Sequence, residues 1–204
     1  MLALTLLGSA QAGELYAGIG LPGVMLGYAQ AVSDDIALRA DVSALAVDRS
    51  GQRGGVDYTG TAKLVRAGLY AEWFPVAEWS FRLSGGVTFN RMRLDLSGLG
   101  NGSLVTVGRN LYLLTPADRF EIKARFPCVT PYLGIGWGHR PAGPGWGLLV
   151  DLGASIGRAR VTGQARGPAL SSPLGQQDFE NELDGWRRHA RLVPQASVGA
   201  SYLF

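Results

Sequence analysis

The sequence predicts an all-β fold, an eight-stranded antiparallel up-and-down β-barrel that crosses a membrane with its strands. Three observations lead there. Apolar and polar residues alternate with period two over most of the chain, as in strands with one oily and one wet face. Hydrophobic residues reach 47% and charged residues only 17%, yet no apolar run attains the roughly 18 residues a membrane helix needs. Glycine, with 30 residues, is scattered through the apolar segments without a triplet repeat, which excludes a collagen-like chain and suits a tightly packed wall.

Nothing in the 204 residues reads as a linker between two cores, so one domain is expected over 13–204. Ahead of it, residues 1–12 hold a short apolar stretch ending in Ala10-Gln11-Ala12, a small-x-small pattern of the kind signal peptidase cuts. Export is therefore expected; no basic n-region precedes the stretch, so either the true start lies upstream of Met1 or the signal is atypical.

Two short strands, Leu15 to Ile19 and Val24 to Ala31, open the barrel around Leu21-Pro22, though one bent strand would also fit. From Ile36 to Ala46 the residues Ile36, Leu38, Ala40, Val42, Ala44 and Ala46 oppose Arg39, Asp41 and Ser43. From Val65 to Phe74 the oily row is Val65, Ala67, Leu69, Ala71 and Trp73, against Arg66, Gly68, Tyr70 and Glu72. The clearest alternation runs from Trp79 to Asn90, with Phe81, Leu83, Val87 and Phe89 against Arg82, Ser84, Thr88 and Asn90.

In Phe120 to Trp137 the apolar set changes parity, which predicts a β-bulge near Phe126-Pro127-Cys128, where proline has no ladder donor. Trp146, Leu148, Val150, Leu152, Ala154 and Ile156 form the next oily row, and Leu149 is its one intruder on the wet side. The last strand sets Leu192, Ala196, Val198, Ala200, Tyr202 and Phe204 against Gln195, Ser197, Gly199 and Ser201. Short joins fall at Ser33-Asp34, at Pro75 to Glu78 and at Arg140 to Gly145. Long loops are expected at Asp48 to Asp57, Ser97 to Asp118 and Thr162 to Arg188, in the alternation of short turns and long loops that membrane barrels show. Within the last loop Phe179, Leu183 and Trp186 lie at helical spacing, so Gln176 to Arg188 is expected to form a short amphipathic helix.

Alternation alone does not separate a membrane barrel from a soluble one such as a lipocalin. Two features decide. The wet row carries Arg39, Asp41, Arg66, Glu72, Arg82 and Asp151, which suits a narrow lumen filled by charge pairs. The oily row carries Trp73, Trp79, Trp137, Trp146, Tyr202 and Phe204 beside the short turns, an aromatic belt.

The closing Ala200-Ser201-Tyr202-Leu203-Phe204 resembles the terminal strand by which the barrel-assembly machinery takes up outer-membrane proteins. With Thr130-Pro131-Tyr132-Leu133-Gly134-Ile135-Gly136-Trp137-Gly138, Gly145-Trp146-Gly147 and Asp151-Leu152-Gly153, the chain resembles the small outer-membrane barrels of the OmpA, OmpX and OmpW type, closest to an opacity-like group with an acid-rich segment before the last strand. That resemblance implies a barrel in the outer membrane of a Gram-negative bacterium and supplies no catalytic or ligand residues.

Little else in the sequence carries chemistry. His139 and His189 have no second histidine or cysteine at metal-ligand spacing, and His139-Arg140 lacks the His-x-Ser pattern of lipid A deacylases, so neither metal, cofactor nor catalysis is expected. Cys128 alone forms no disulfide framework. No basic cluster interleaved with aromatics speaks for nucleic acid. Of 19 basic residues all but Lys63 and Lys123 are arginine, and many sit at the outer ends of strands. Arg91, Arg93, Arg158 and Arg160 are there placed to contact lipopolysaccharide phosphates, or equally to solvate loops neutralised by Asp95, Asp118 and Glu121. Three functions follow as expectations: a non-catalytic structural or surface-interaction barrel, a narrow channel or lateral path for small hydrophobic solutes, and, less so, a lipid A-modifying enzyme. An extracellular ligand is left open.

Overall fold

The computed structural model describes residues 13–76, 79–138 and 144–204, without the side chains at 53 and 189. The expected export segment, His139 and Arg140 lie outside the described residues, as does the side chain of His189.

Eight strands close a ring in which all neighbours run antiparallel. In order around it stand β1 (Gly13–Leu21), β2 (Gly23–Ala31), β3 (Ile36–Arg53), β4 (Val56–Trp73), β5 (Phe81–Gly100), β9 (Val129–Trp137), β10 (Gly145–Ile156) and β12 (Leu192–Leu203), and β12 pairs back onto β1. Two strands continue this wall toward the long-loop end. They are β8 (Arg119–Arg125), which runs on from β9 along β5, and β11 (Arg160–Arg166), which pairs with β8. Above β5 stands a separate hairpin of β6 (Ser103–Val107) and β7 (Asn110–Leu114). Helix α1 (Pro173–His189) precedes the last strand.

β1 and β2 are separate strands, paired from Gly13↔Gln30 to Gly20↔Gly23. The expected loop at Asp48 to Asp57 is instead strand almost throughout, because β3 and β4 pair continuously from Ile36↔Trp73 to Arg53↔Val56. Gly54 and Gly55 make the two-residue turn, with φ of +57° and +80°. Two consecutive positive φ values are what such a hairpin requires and what side chains with a Cβ resist.

The parity change around Pro127 has a different cause from the one expected. Against β5 the register runs straight through: Phe89 pairs with Val129 and Arg93 with Arg125, so no extra residue is inserted. Asn90 N–H still donates to Cys128 O across the break at 2.6 Å. An offset of two residues is taken up only on the other side, between the Tyr132↔Ser155 and Arg125↔Arg160 pairs. Even-numbered residues therefore face inward on both β8 and β9.

What inverts is the chemistry of the two faces. On the lower wall the outward side chains are apolar and exposed, including Leu148 at 81%, Val24 at 68%, Ile19 at 63% and Leu133 at 62%. Higher up, the outward row becomes Asp57, Thr59, Thr61 and Lys63 on β4, Arg91, Arg93 and Asp95 on β5, and Arg119, Glu121, Lys123 and Arg125 on β8. The inward row there turns apolar and joins a second core of Val56, Leu114, Ile122, Val161, Leu170, Phe179 and Leu183. Each long strand thus reads oily-out below and oily-in above, and a sequence pattern scanned for parity registers that switch as a slip.

Helix α1 seals the upper core. Ser172 caps it by accepting from Gly175 N–H at 3.0 Å, Pro173 follows in the first turn, and Phe179 and Leu183 are buried under it while Trp186 stays 40% exposed. It begins three residues before the expected start. Its Arg187 Nε donates to Val161 O at 3.0 Å, covering the edge of β11 that no strand pairs. Asp178 holds the β6–β7 hairpin down by accepting from Asn110 Nδ2 and Tyr112 Oη, both at 2.7 Å.

Candidate functional site in the lumen

The ring places every lumen-facing charge predicted from the sequence on the inner wall: Arg39, Asp41, Arg66, Glu72, Arg82 and Asp151 are all buried. Four of them form one cluster. Glu72 Oε1 lies 3.0 Å from Arg39 Nε and 2.9 Å from Arg82 Nε, while Asp151 takes Arg39 Nη1 on Oδ2 at 3.0 Å and Arg82 Nη2 on Oδ1 at 2.6 Å. Two guanidinium groups and two carboxylates alternate, so the cluster is neutral and each cation meets two anions. Arg82 also donates from Nη1 to Gly138 O at 2.9 Å.

The remaining pair, Arg66 and Asp41, is looser at 3.7 Å. Tyrosines tie it to the quartet. Tyr16 Oη and Tyr70 Oη both donate to Asp41, at 3.2 and 3.3 Å, and the guanidinium of Arg39 lies 4.4 Å from the Tyr70 ring centroid and 5.8 Å from that of Tyr16. A cation over an aromatic face in a desolvated site is a favourable contact. Tyr132 meets Tyr70 edge-on with centroids 4.9 Å apart. The tyrosines were not singled out from the sequence. Their even spacing with Gly68 and Gly134 on the wet row is the signal available, because the ring of each needs a neighbour without a Cβ. A Cβ built on Gly68 would stand 2.0 Å from Tyr70 Oη, and one on Gly153 would stand 2.3 Å from Tyr132 Oη.

Above this layer a neutral one spans β5, β9, β10 and β12. Thr88 Oγ1 lies 2.8 Å from Thr130 Oγ1 and 3.0 Å from Ser155 Oγ, Asn90 Nδ2 donates to Thr130 Oγ1 at 2.8 Å, and Gln195 Nε2 to Ser155 Oγ at 2.7 Å. Below it, the intruder Leu149 packs on Tyr16 and Met25 as an apolar stopper. Glu72, Arg82, Thr88 and Leu149 each have 0% exposure, so a water-sized sphere does not reach them even from inside the barrel.

The six belt residues Trp73, Trp79, Trp137, Trp146, Tyr202 and Phe204 all point outward near the short-turn end, where Trp146 meets Tyr202 edge-on and Phe81 meets Trp137 at a tilt, with centroids 5.3 and 5.0 Å apart. Arg91, Arg93, Arg158 and Arg160 are exposed at the opposite limit of the apolar wall. Among the described residues no group of three His, Cys, Asp or Glu side chains could hold a metal ion.

A closed ring of eight antiparallel strands, oily outside and charged within, defines a β-barrel of the outer-membrane type. Among solved structures the fold is shared by CarO of Acinetobacter baumannii, with a TM-score of 0.72 over 95% of this chain and 98% of that one at 15% identity. CarO2 of the same organism matches with a TM-score of 0.70 over the same shares at 16% identity. Identities this low establish common architecture, and they do not single out the OmpA, OmpX or OmpW types. No family model and no curated protein matches the sequence.

Proposed function

We propose that the chain resides in the outer membrane as a closed barrel with a structural or surface-interaction role and no catalytic activity. The membrane placement is supported by the wall itself. Soluble monomers rarely expose apolar patches beyond a few hundred Å², whereas here the outward rows of all eight strands are apolar and end in an aromatic belt. The terminal strand with Tyr202 and Phe204 is the segment through which the barrel-assembly machinery would receive it.

The observation that carries the closed-lumen reading is the quartet of Arg39, Glu72, Arg82 and Asp151, joined across the barrel and stoppered below by Leu149. Among small outer-membrane barrels the quartet supports reading the chain as a plugged, OmpA- or OmpX-like form. The test is to compare the outer-membrane fraction unheated and boiled on a gel and then record conductance in planar bilayers. A mobility shift with no conductance steps is expected. A soluble periplasmic product, or stepwise conductance from the folded protein, would overturn the reading.

One observation favours an OmpW-like lateral path for small hydrophobic solutes. An apolar pocket of about 210 Å³ lies under α1, lined by Val56, Leu96, Val107, Phe120, Phe179 and Trp186. It sits above the sealed lumen, so a solute entering there would have to leave sideways; solute uptake by cells expressing the chain, compared with the W186A variant, tests that route.

A further inference from the structure

Strand register assembles something the sequence does not display. Lys63 on β4 pairs with Arg93 on β5, Arg93 with Arg125 on β8, and Arg125 with Arg160 on β11. Four cations on four adjacent strands thus stand side by side in one row, all exposed on the outer face. Directly opposed like charges destabilise a sheet, and neighbouring strands are only about 4.8 Å apart. None of the four is in an ion pair among the described residues, where the nearby Lys123 has Glu121 at 3.6 Å. The row continues into an open pocket of about 370 Å³ in which Arg158, Arg160, Arg187, Arg188 and Arg191 face one carboxylate, Asp184, and that carboxylate is taken by Arg187 at 2.7 Å.

Its height on the barrel is informative. Along the wall the row lies a step or two beyond the outward apolar band, with Val65 below Lys63, Phe89 below Arg93, Val129 below Arg125 and Ile156 below Arg160, and Leu99 on β5 is an outward apolar residue above it. The outward apolar wall gives way there to a line of exposed cations. Guanidinium groups bind phosphate in a bidentate manner and hold strongly charged oxygens without losing their own charge.

We propose that Lys63, Arg93, Arg125 and Arg160, with the adjoining arginine pocket, bind the phosphate monoesters of a lipid headgroup in the surrounding leaflet, the chemistry lipopolysaccharide presents. The ligand spans the row as a polyanion, so one molecule relieves the repulsion of several cations at once. The inference rests on the membrane placement proposed above.

Titration of the folded barrel in neutral detergent with bisphosphorylated and dephosphorylated lipid A tests it. The triple variant R93Q/R125Q/R160Q is compared with a charge-matched control, R49Q/R119Q/R166Q, whose arginines lie off the row. The expected result is binding of the bisphosphorylated form alone, weakened at least about tenfold by the row variant and by less than about twofold by the control. Equal loss in both variants would reduce the effect to net charge and overturn the site. Displacement by free pyrophosphate at the same concentration as lipid A would assign the row to soluble phosphates and overturn the lipid. The heat-dependent gel shift of each preparation reports folding separately, so failure of the barrel reading is seen there and not in the titration.

Discussion

Arg39 and Asp151 stand on strands four places apart in a ring of eight, yet Nη1 of one lies 3.0 Å from Oδ2 of the other. Two side chains therefore bridge the full width of the lumen. Because Arg82 and Glu72 complete the same cluster, each carboxylate neutralises two cations in a buried site. Desolvating four charges is costly, and only complete pairing offsets it.

The first prediction follows from that arithmetic of charge. D151N removes one anion from two buried guanidinium groups and should destabilise the barrel by about 3–5 kcal/mol. The midpoint of heat-induced gel conversion, or of urea unfolding in micelles, measures the loss. A change within the scatter of the wild type would mean that the quartet is wetter than its geometry indicates.

Conductance should respond to the same residues. Replacing Arg39, Glu72, Arg82 and Asp151 together by alanine removes the bridge, and because two cations and two anions leave together the lumen's net charge does not change. Stepwise current in planar bilayers is expected from this variant and none from the parent chain. Silence from a folded, heat-modifiable quadruple variant would show that Leu149 and the threonine layer of Thr88 and Thr130 suffice to close the barrel.

Close approach of glycine to tyrosine gives a third prediction. G68A places a methyl where Tyr70 Oη already stands, and overpacking of this kind costs about 1–3 kcal/mol. Y70L frees that space at the cost of the hydrogen bond to Asp41 and the ring contacts with Arg39 and Tyr132. The double variant G68A/Y70L should accordingly be more stable than the sum of the two single losses predicts, as read in a double-mutant cycle. Strict additivity would remove the contact from the account.

Much of this wall was legible because an oily outer face and a charged lumen put opposite chemistries on alternate residues. Ile36 to Ala46 and Trp79 to Asn90 declare their faces from either row alone. Legibility ended where the surroundings changed. Above Phe89 and Val129 the outward row turns polar while the facing is kept: Arg93 and Arg125 point outward just as Phe89 and Val129 do, and Ile122 inward like Thr130. A local pattern cannot separate that inversion from a bulge. The Arg93–Arg125 neighbourhood was hidden for another reason, since residues more than thirty positions apart meet only through register. Phe179 and Leu183 on α1, by contrast, showed their helical spacing plainly.

The cap gives a prediction of its own, in pH. Burial works to raise the Asp118 carboxyl, but it is outweighed: Thr115 N–H and Ala169 N–H donate to it at 3.1 and 2.8 Å, with Thr115 Oγ1 and Leu170 N–H adding to them, and the group is held below its ordinary range. The hydrogen bonds from Asn110 and Tyr112 lower Asp178 likewise. A carboxyl depressed on folding stabilises the fold above its unfolded value of about 3.9 and ceases to do so as pH falls through the folded value. Hydrogen exchange of α1 and of the β6–β7 hairpin should therefore be flat from pH 7 to about pH 5, after correction for the intrinsic rate, and accelerate below about pH 4. D118N should bring faster exchange already at pH 7 and a shallower dependence below it, because an amide offers one acceptor oxygen where three N–H groups and a hydroxyl converge. Protection of α1 that stays constant down to pH 3 in the parent chain would show that the apolar core of Leu170, Phe179 and Leu183 holds the cap without help from either carboxylate.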